Sequence, residues 1–231
     1  GTPDYELNYI ERETGKLPAI RGLDFMHNDF AGVTKRAKEW WEKGGIPTIC
    51  WHTGSDFASG YDESKAHNLN WDEAFVPGTE TYNELLEDMD RAVPYLQQLE
   101  DAGVPILWRP LHEASGGWFW WGTGGAEAYK KLYITMYDKL TNEYGLDNLI
   151  WLWNGQDKEW YPGDEYVDII GEDIYPGEKV YTPQTDKYLE VMDYTDANKM
   201  IILSENGCLF DPDLAIRDGA MWGSFCTWGG E

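Results

Sequence analysis

Basic residues are scarce in this sequence of 231 residues. It contains 18 lysines and arginines against 42 aspartates and glutamates, which gives a formal net charge of −24. Nucleic acids, anionic membrane surfaces and polyphosphates select basic surfaces, so this charge argues against all three as partners. Hydrophobic residues make up 42% of the chain, which is enough for a sizeable core and argues against disorder.

Cysteine and long apolar segments are also scarce. The cysteines are Cys50, Cys208 and Cys226, too few for a disulfide framework, and each lies in or beside an apolar run, which predicts buried free thiols. No segment approaches the roughly 20 apolar residues of a membrane helix. The chain starts at Gly1 without a signal peptide, although a secreted mature protein would have lost one.

Aromatic residues, by contrast, are abundant, with 13 tryptophans and 15 tyrosines. Large rings fill protein cores, and they also form flat apolar surfaces with polar edges that suit sugar rings. Composition alone does not choose between these interpretations, so the positions of the rings in the chain become important.

Short apolar segments alternate with helical patterns along the chain. Near-continuous apolar runs of this length are typical of parallel strands that are buried on both faces. The predicted strands are 18–25, 46–52, 104–113, 148–153, 167–175, 200–205 and 221–228. The predicted helices are 4–14, 34–43, 79–102, 126–144, 183–197 and 211–217. Glycines follow the first four of these helices, as expected at helix ends, and Pro94 predicts a kink or a break in the third.

Repeated strand–helix order without a linker predicts one α/β domain over residues 1–231, either a doubly wound sheet or a (β/α)8 TIM barrel. No phosphate-binding glycine loop follows an early strand, which favours the barrel. A closed barrel needs eight strands, and the sequence shows seven after an initial helix. We therefore expect a partial barrel made of strands two to eight, with the first strand and the last helix missing from this chain.

Two glutamates, Glu113 and Glu205, end predicted strands. The carboxyl ends of barrel strands carry the active site, and a carboxyl group at an apolar strand tip is costly to bury without a partner or a purpose. Two such groups facing one cleft supply the acid and the nucleophile of glycoside hydrolysis; the alternative is a pair of salt-bridged structural acids. Four consecutive aromatic residues, 118–121, follow Glu113 and predict a sugar-binding platform.

The segment 108–122, Trp-Arg-Pro-Leu-His-Glu-Ala-Ser-Gly-Gly-Trp-Phe-Trp-Trp-Gly, resembles the acid/base signature of glycoside hydrolase family 26, chiefly β-mannanases. Further motifs agree in order: Arg21-Gly-Leu-Asp-Phe, Trp51-His52, Gly171-Glu-Asp-Ile-Tyr175 and Ser204-Glu205. The resemblance implies a retaining (β/α)8 barrel. It also implies that Glu113, after strand four, is the general acid/base and that Glu205, after strand seven, is the nucleophile.

The same resemblance implies roles for residues around these glutamates. His112 would support the nucleophile side, and Tyr175 would hydrogen-bond the nucleophile. The remaining substrate-binding residues that it implies are His52, Trp71, Trp118, Asp173 and Trp228. Gly229 stands where some relatives carry arginine, which leaves the contacts to that part of the sugar open.

Structural alternatives exist for several of these residues. His52 and His112 can be core histidines bonded to the backbone, and the tryptophans can be plain core residues. A second histidine four residues from His112 is absent from the sequence, so no zinc motif accompanies it. Arg109 lies four residues before Glu113, which predicts the same strand face and a role as the structural partner of buried acids.

The implied activity is endo-hydrolysis of β-1,4-mannosidic bonds in mannan, glucomannan or galactomannan by double displacement, without cofactor or metal, in a secreted, extracellular monomer. The alternatives are the same mechanism on β-1,3-xylan or mixed-linkage β-glucan, and a non-catalytic carbohydrate-binding barrel. Retention requires the two carboxyl groups to be about 5–5.5 Å apart. Burial and the charge of Glu205 should keep Glu113 protonated near neutral pH.

Overall fold

The computed structural model describes residues 2–54, 58–66 and 68–228. Each strand predicted from the sequence is present, mostly with shorter ends. All neighbouring strands are parallel, and their order in the sheet is their order in the sequence. The strands are β1 Ile20–Asp24, β2 Ile46–Cys50, β3 Ile106–Arg109, β4 Leu149–Trp153, β5 Ile169–Ile174, β6 Met200–Asn206 and β7 Phe225–Thr227.

The strand order distinguishes the two predicted architectures. A doubly wound sheet reverses its order at a switch point, whereas this sheet runs from β1 to β7 without a reversal. The two outer strands also approach each other, because a Cβ atom built on Gly22 of β1 would lie 3.8 Å from Sγ of Cys226 on β7. The sheet is therefore a nearly closed α/β barrel. Its seven described strands correspond to strands two to eight of a TIM barrel, as predicted.

One helix precedes β1 and the others lie between strands in sequence: α1 Tyr5–Thr14, α2 Phe30–Glu42, α3 Tyr61–Ala66, α4 Glu80–Glu100, α5 Gly125–Tyr137, α6 Thr185–Met192 and α7 Pro212–Asp218. A π-helical turn, Asp138–Glu143, extends α5 over the predicted range. The sequence did not predict α3, which buries Ser64 and no apolar side chain, because such a helix has no apolar periodicity to detect.

Helix α4 shows how an amphipathic pattern fixes an element against the barrel. The hydroxyl of Thr79 accepts the N–H of Tyr82 at 3.2 Å and caps its first turn. Its buried side chains recur every three or four residues: Leu85, Met89, Ala92, Val93, Leu96 and Leu99. Of the predicted kink or break at Pro94, the break does not occur, because one helix runs through this residue. Pro94 is exposed while Ala92, Val93 and Leu96 are buried, so packing of the apolar face holds the helix through the proline.

The barrel interior is layered. Leu107, Leu152 and Ile202, from three strands, form an apolar cluster inside it. Side chains two residues apart share a strand face, so the next inward positions toward the carboxyl ends are Arg109, Asn154 and Ser204. All three are buried. The two-residue period of the strands thus places a polar layer directly above an apolar one, at the end where barrel enzymes carry their sites.

The cysteine prediction is correct for one thiol of the three. Cys50 is buried, whereas Cys208 and Cys226 are partly exposed and all three are free. Cys208 follows β6 in a loop, and Cys226 lies on β7, the outer strand of the described sheet. None of the helices within the described residues is long and apolar enough to cross a membrane.

Candidate active site

Glu205 lies near the carboxyl end of β6 with both carboxylate oxygens hydrogen-bonded. Tyr175, directly after β5, donates its hydroxyl to Oε2 at 2.5 Å. Arg109, the last residue of β3, donates from Nη2 to Oε1 at 2.8 Å. Two donors stabilise the ionised carboxylate, which is the form that attacks as a nucleophile. The hydrogen bond from Tyr175, which the family resemblance implied, is present.

Asp173, on β5, is a second buried carboxylate. Its Oδ2 lies 2.5 Å from Nη2 of Arg109, and its Oδ1 accepts the hydroxyl of Ser204 at 2.5 Å. Burial raises the pKa of Asp173 well above its ordinary value, and the charge of Arg109 opposes that shift. One buried guanidinium therefore serves the carboxylates of both Asp173 and Glu205. The prediction that Arg109 is the structural partner of buried acids is confirmed.

Glu113 lies four residues beyond the end of β3, in a turn. Leu111 and Glu113 both adopt the left-handed region, with φ of 52° and 53°, which is uncommon for residues other than glycine. The N–H of Glu113 donates to the carbonyl of Asn154 at 2.7 Å. The predicted strand 104–113 is therefore too long. The prediction that Arg109 and Glu113 share a strand face is wrong, because the left-handed residues end the pleat before Glu113.

The carboxylates of Glu113, Asp173 and Glu205 converge, with one oxygen of each within 4.8 Å of the others. This approach fits the spacing of retaining glycosidases rather than the wider gap, with room for a water, of inverting ones. Burial, followed by the negative charge of Glu205, raises the pKa of Glu113. The direction expected from the sequence is confirmed, and burial is the larger cause.

His52 lies just beyond β2 and is buried against the end of β1. Its Nδ1 is 2.5 Å from Oδ2 of Asp24, and its backbone N–H donates to Oδ1 of the same residue at 3.3 Å. The thiol of Cys50 contacts Oδ2 at 3.3 Å, and burial together with the Asp24 charge raises the pKa of this thiol. The partner of His52 is therefore a carboxylate rather than the backbone carbonyl of a plain core histidine.

His112 is buried in an aromatic environment. Its ring lies 4.6 Å from the ring of His52 in an edge-on arrangement, and 5.1 Å and 5.6 Å from the rings of Phe119 and Trp121. Burial, with the positive charge of Arg109, lowers the pKa of His112 well below its ordinary value. Nδ1 has no hydrogen-bond partner among the described residues. His112 is therefore a buried imidazole that packs against His52 and the aromatic residues after Glu113.

The predicted four-ring platform is mostly core. Phe119, Trp120 and Trp121 are at most 4% exposed, whereas Trp118 is 45% exposed. Trp121 donates its indole N–H to the carbonyl of His112 at 2.7 Å, and Phe119 stacks on Trp121 with ring centroids 4.6 Å apart. The prediction of four ligand-facing rings is therefore wrong for three of them. Trp118 remains open to solvent and donates Nε1–H to Oε2 of Glu113 at 3.0 Å.

Trp71 and Trp228 contact neighbours of the two glutamates rather than the glutamates themselves. Trp71 is half-buried, donates its indole N–H to Thr123 at 3.0 Å and packs 6.3 Å from the ring of Trp120. Trp228 is 48% exposed and donates its backbone N–H to the carbonyl of Asn206 at 3.2 Å. It therefore flanks the residue that follows Glu205. Gly229, discussed with the sequence, lies outside the described residues.

Two groups of side chains bring metal-ligating atoms within 4.8 Å of one another in the described part of the chain. They are Glu113 with Asp173 and Glu205, and Asp24 with Cys50 and His52. In the first group the Arg109 guanidinium already supplies the positive charge that a cation would bring. In the second, hydrogen bonds already join the three residues.

Sequence analysis missed Asn154, Gln156 and the pairing role of Asp24. Asn154 and Gln156 follow β4 as Asn-Gly-Gln, and their amides bond the backbone of β5. The available signal was their position, since polar residues directly after a buried barrel strand point to the site.

A nearly closed α/β barrel with converging carboxylates at the carboxyl ends of its strands has the architecture of a barrel glycoside hydrolase. The sequence profile described as glycosyl hydrolase family 26 matches residues 3–231. The chain belongs to this family, as its motifs predicted.

Relatives of this chain include proteins named mannan endo-1,4-beta-mannosidase. Mannan endo-1,4-beta-mannosidase A of Piromyces sp is 39% identical over 237 residues, which cover 95% of this chain and 38% of that protein. The mannan endo-1,4-beta-mannosidase of Thermothelomyces thermophilus is 36% identical over 243 residues, covering 96% of this chain and 49% of that protein. The chain thus spans less than half the length of these curated relatives.

Solved structures show the same likeness. The beta-mannanase from a symbiotic protist of the termite Reticulitermes speratus, complexed with gluco-manno-oligosaccharide, matches with a TM-score of 0.88 and 37% identity. The match covers 98% of this chain and 75% of that chain. At this identity the likeness extends from the fold to the family.

Proposed function

We propose that residues 1–231 form a single catalytic domain of an endo-acting β-1,4-mannanase that retains the configuration of the anomeric carbon. The observation that carries the proposal is the approach of the Glu113 and Glu205 carboxylates to within 4.8 Å. Relatives named mannan endo-1,4-beta-mannosidase support the substrate class. A neutral polysaccharide also tolerates an enzyme with a net charge of −24.

The first half of the reaction breaks the glycosidic bond. Glu205 attacks the anomeric carbon, and a C–O bond forms between that carbon and a carboxylate oxygen. The bond to the departing oxygen breaks, and Glu113 gives that oxygen its proton. The raised pKa of Glu113 supports this role, because an acid must hold its proton at the working pH.

The second half releases the sugar. Once Glu205 is esterified, it no longer carries a negative charge, so a cause of the raised pKa of Glu113 disappears. Glu113 is then ionised and takes a proton from the incoming water, which attacks the anomeric carbon and frees Glu205. Two displacements on one carbon return the original configuration.

The residues around the glutamates would bind the sugar. Trp118, half-exposed beside Glu113, offers a ring face for stacking. His112 is included on the family motif, and its ring packs against that of His52. We assign Asp173 and Tyr175 to the alignment of Glu205. His52, Trp71 and Trp228 complete the proposed substrate-binding set.

We also propose that the enzyme is a secreted, extracellular monomer that degrades β-1,4-mannan, glucomannan or galactomannan. Such polymers are too large to enter a cell intact, so an endo-acting enzyme would meet them outside it. The presence of the protein in the culture supernatant and its elution as a single copy in size-exclusion chromatography would test these points.

The activity is tested by incubating the protein with β-1,4-mannan, glucomannan and galactomannan and measuring new reducing ends. We expect short oligosaccharides from mannan, with the β-anomer formed first in the NMR spectrum. Glu205→Ala is the matched inactive control. Hydrolysis restricted to β-1,3-xylan or mixed-linkage β-glucan would overturn the substrate class. Binding of mannan without any new reducing ends would overturn the catalytic proposal in favour of a binding protein.

A further inference from the structure

The segment 154–156 joins the two sides of the candidate site. The carbonyl of Asn154 accepts the N–H of Glu113 at 2.7 Å, and the carbonyl of Gly155 accepts the N–H of Ser115 at 3.1 Å. The side chain of Asn154 accepts Nε–H of Arg109 at 3.0 Å. This short segment after β4 thus contacts both the turn that carries Glu113 and the guanidinium that bonds Glu205.

The backbone pairing of β4 with β5 ends early. Its last pair is Trp153 with Ile170, although β5 continues to Ile174. Beyond this pair, side chains of the segment 154–156 form hydrogen bonds with the backbone of β5 in place of backbone groups. The amide of Asn154 donates to the carbonyl of Gly171 at 3.1 Å.

Gln156 then pairs with the backbone of Asp173 on both groups. Its Oε1 accepts the N–H of Asp173 at 2.8 Å, and its Nε2 donates to the carbonyl of Asp173 at 3.1 Å. A carboxamide in this orientation presents the same donor and acceptor as a neighbouring strand. It acts at the point where the β5–β6 register shifts, between Glu172 and Asp173, so it holds a backbone that the neighbouring strand pairs irregularly.

The conformation of Gln156 is itself unusual, with φ of 68°. This left-handed region favours glycine, yet glycine at this position could not supply the carboxamide. The amide of Asn154 also donates to Oε1 of Gln156 at 3.2 Å and fixes its orientation.

We propose that Gln156 is a positioning residue for the reaction, through its clamp on the backbone of Asp173. The carboxylate of Asp173 bonds Arg109, and Arg109 bonds Glu205. A shift of the Asp173 backbone would therefore move the guanidinium and the attacking oxygen away from their alignment with Glu113. This inference rests on the proposed function of the two glutamates.

The test compares Gln156→Gly with Gln184→Gly. Gln184 is also a half-buried glutamine in the left-handed region, with φ of 55°, but its carboxamide bonds Thr182, away from the site. Both substitutions remove a carboxamide and relieve the same backbone strain. Only Gln156→Gly also removes the two hydrogen bonds to the backbone of Asp173. We expect kcat on mannan to fall about 10–100-fold in Gln156→Gly, with KM changed less than about threefold. Gln184→Gly should keep kcat within about twofold.

A substrate with a dinitrophenolate leaving group distinguishes a defect in the position of Glu205 from a defect in proton donation by Glu113. Such a group departs without a proton from Glu113. The loss in Gln156→Gly should persist on this substrate, since the defect lies on the Glu205 side. Full recovery on it, or a kcat on mannan within about twofold of the wild type, would overturn the positioning role.

Amide hydrogen exchange tests the clamp without activity. The N–H of Asp173 is held by Gln156, so exchange of a peptide covering 170–175 should accelerate about tenfold in Gln156→Gly and stay unchanged in Gln184→Gly. Equal exchange in both variants would overturn the clamp. If the wild type fails to hydrolyse mannan while exchange behaves as expected, the proposed function is overturned and the clamp stands.

Discussion

The two glutamates of the site are held in opposite ways. Glu205 is buried, and a guanidinium and a phenol donate to its two oxygens. Glu113 is half-buried, lies on a turn with left-handed backbone, and faces the negative charge of Glu205. For Glu113, burial and the charge of Glu205 raise the pKa and favour the protonated form. The different surroundings of the two glutamates support the two different roles that we propose for them.

The largest effect is expected from Glu205→Ala, which tests the difference between the two glutamates. Removal of the nucleophile should lower kcat on mannan about 10⁴-fold or more. Azide should restore turnover and give a glycosyl azide of inverted configuration, because a single displacement occurs in the emptied space. NMR of the product checks the configuration, and the wild type with azide is the control. A product of retained configuration would remove the nucleophile role from Glu205.

Glu113→Ala should have a smaller effect that depends on the leaving group. On mannan kcat should fall about 10²–10⁴-fold, the range for general acid–base catalysis. On an aryl mannoside with a dinitrophenolate leaving group, the first step needs no proton, so bond cleavage should be nearly normal. Azide should then give the retained product. Equal losses on both substrates would contradict the acid role.

Arg109→Met tests the support of Glu205. The variant leaves Asp173 and Glu205 buried without their cation, so it should lower the free energy of unfolding by about 3–5 kcal/mol. Urea denaturation measures this loss. Arg12→Met is the control, because Arg12 forms an exposed pair with Glu13, a kind of pair worth about 0–1 kcal/mol. Equal destabilisation by the two substitutions would show that the buried bridge has no special contribution.

Tyr175→Phe removes one of the two donors to Glu205 and keeps the ring. A hydrogen bond to a charged group contributes about 1.5–3 kcal/mol, so kcat should fall about 10–100-fold. Because Tyr175 is 49% exposed, the melting temperature should change little. Tyr181→Phe, at an exposed tyrosine away from the carboxylates, is the matched control. An unchanged kcat in Tyr175→Phe would contradict the role of this bond.

The smallest effect is expected from Trp118→Phe on the pH profile. The indole N–H favours ionised Glu113 and so lowers the pKa that burial and Glu205 raise. Glu113 acts while protonated, and activity is lost as the pH rises through its pKa. Without the indole donor, the basic limb of kcat/KM should move to higher pH, by less than about one unit. Trp41→Phe, on α2, is the control, and a shift to lower pH would contradict this assignment.

The sequence predicted the strands and their order because parallel barrel strands are continuous apolar runs that end in polar residues. It also predicted the bond between Tyr175 and Glu205, which are carried by specific motifs. Apolar periodicity predicts the strands, whereas the bond between Tyr175 and Glu205 is implied by the resemblance of the motifs to the family.

Features that depend on tertiary packing and on backbone dihedral angles could not be predicted from the sequence. The turn at Leu111 and Glu113 looks like a strand, because left-handed residues leave no mark on hydropathy. The run 118–121 looks like a platform, because only tertiary contacts bury Phe119, Trp120 and Trp121. The role of Gln156 could not be predicted, because a single side chain that hydrogen-bonds a strand backbone leaves no periodic pattern in the sequence.

The bond between Trp118 and Glu113 ties a half-exposed ring to the carboxyl group beside it. A molecule that tilts this ring as it settles on it also turns the carboxyl group. In the proposed reaction, contact of the sugar with Trp118 would then be coupled to the orientation of the Glu113 proton.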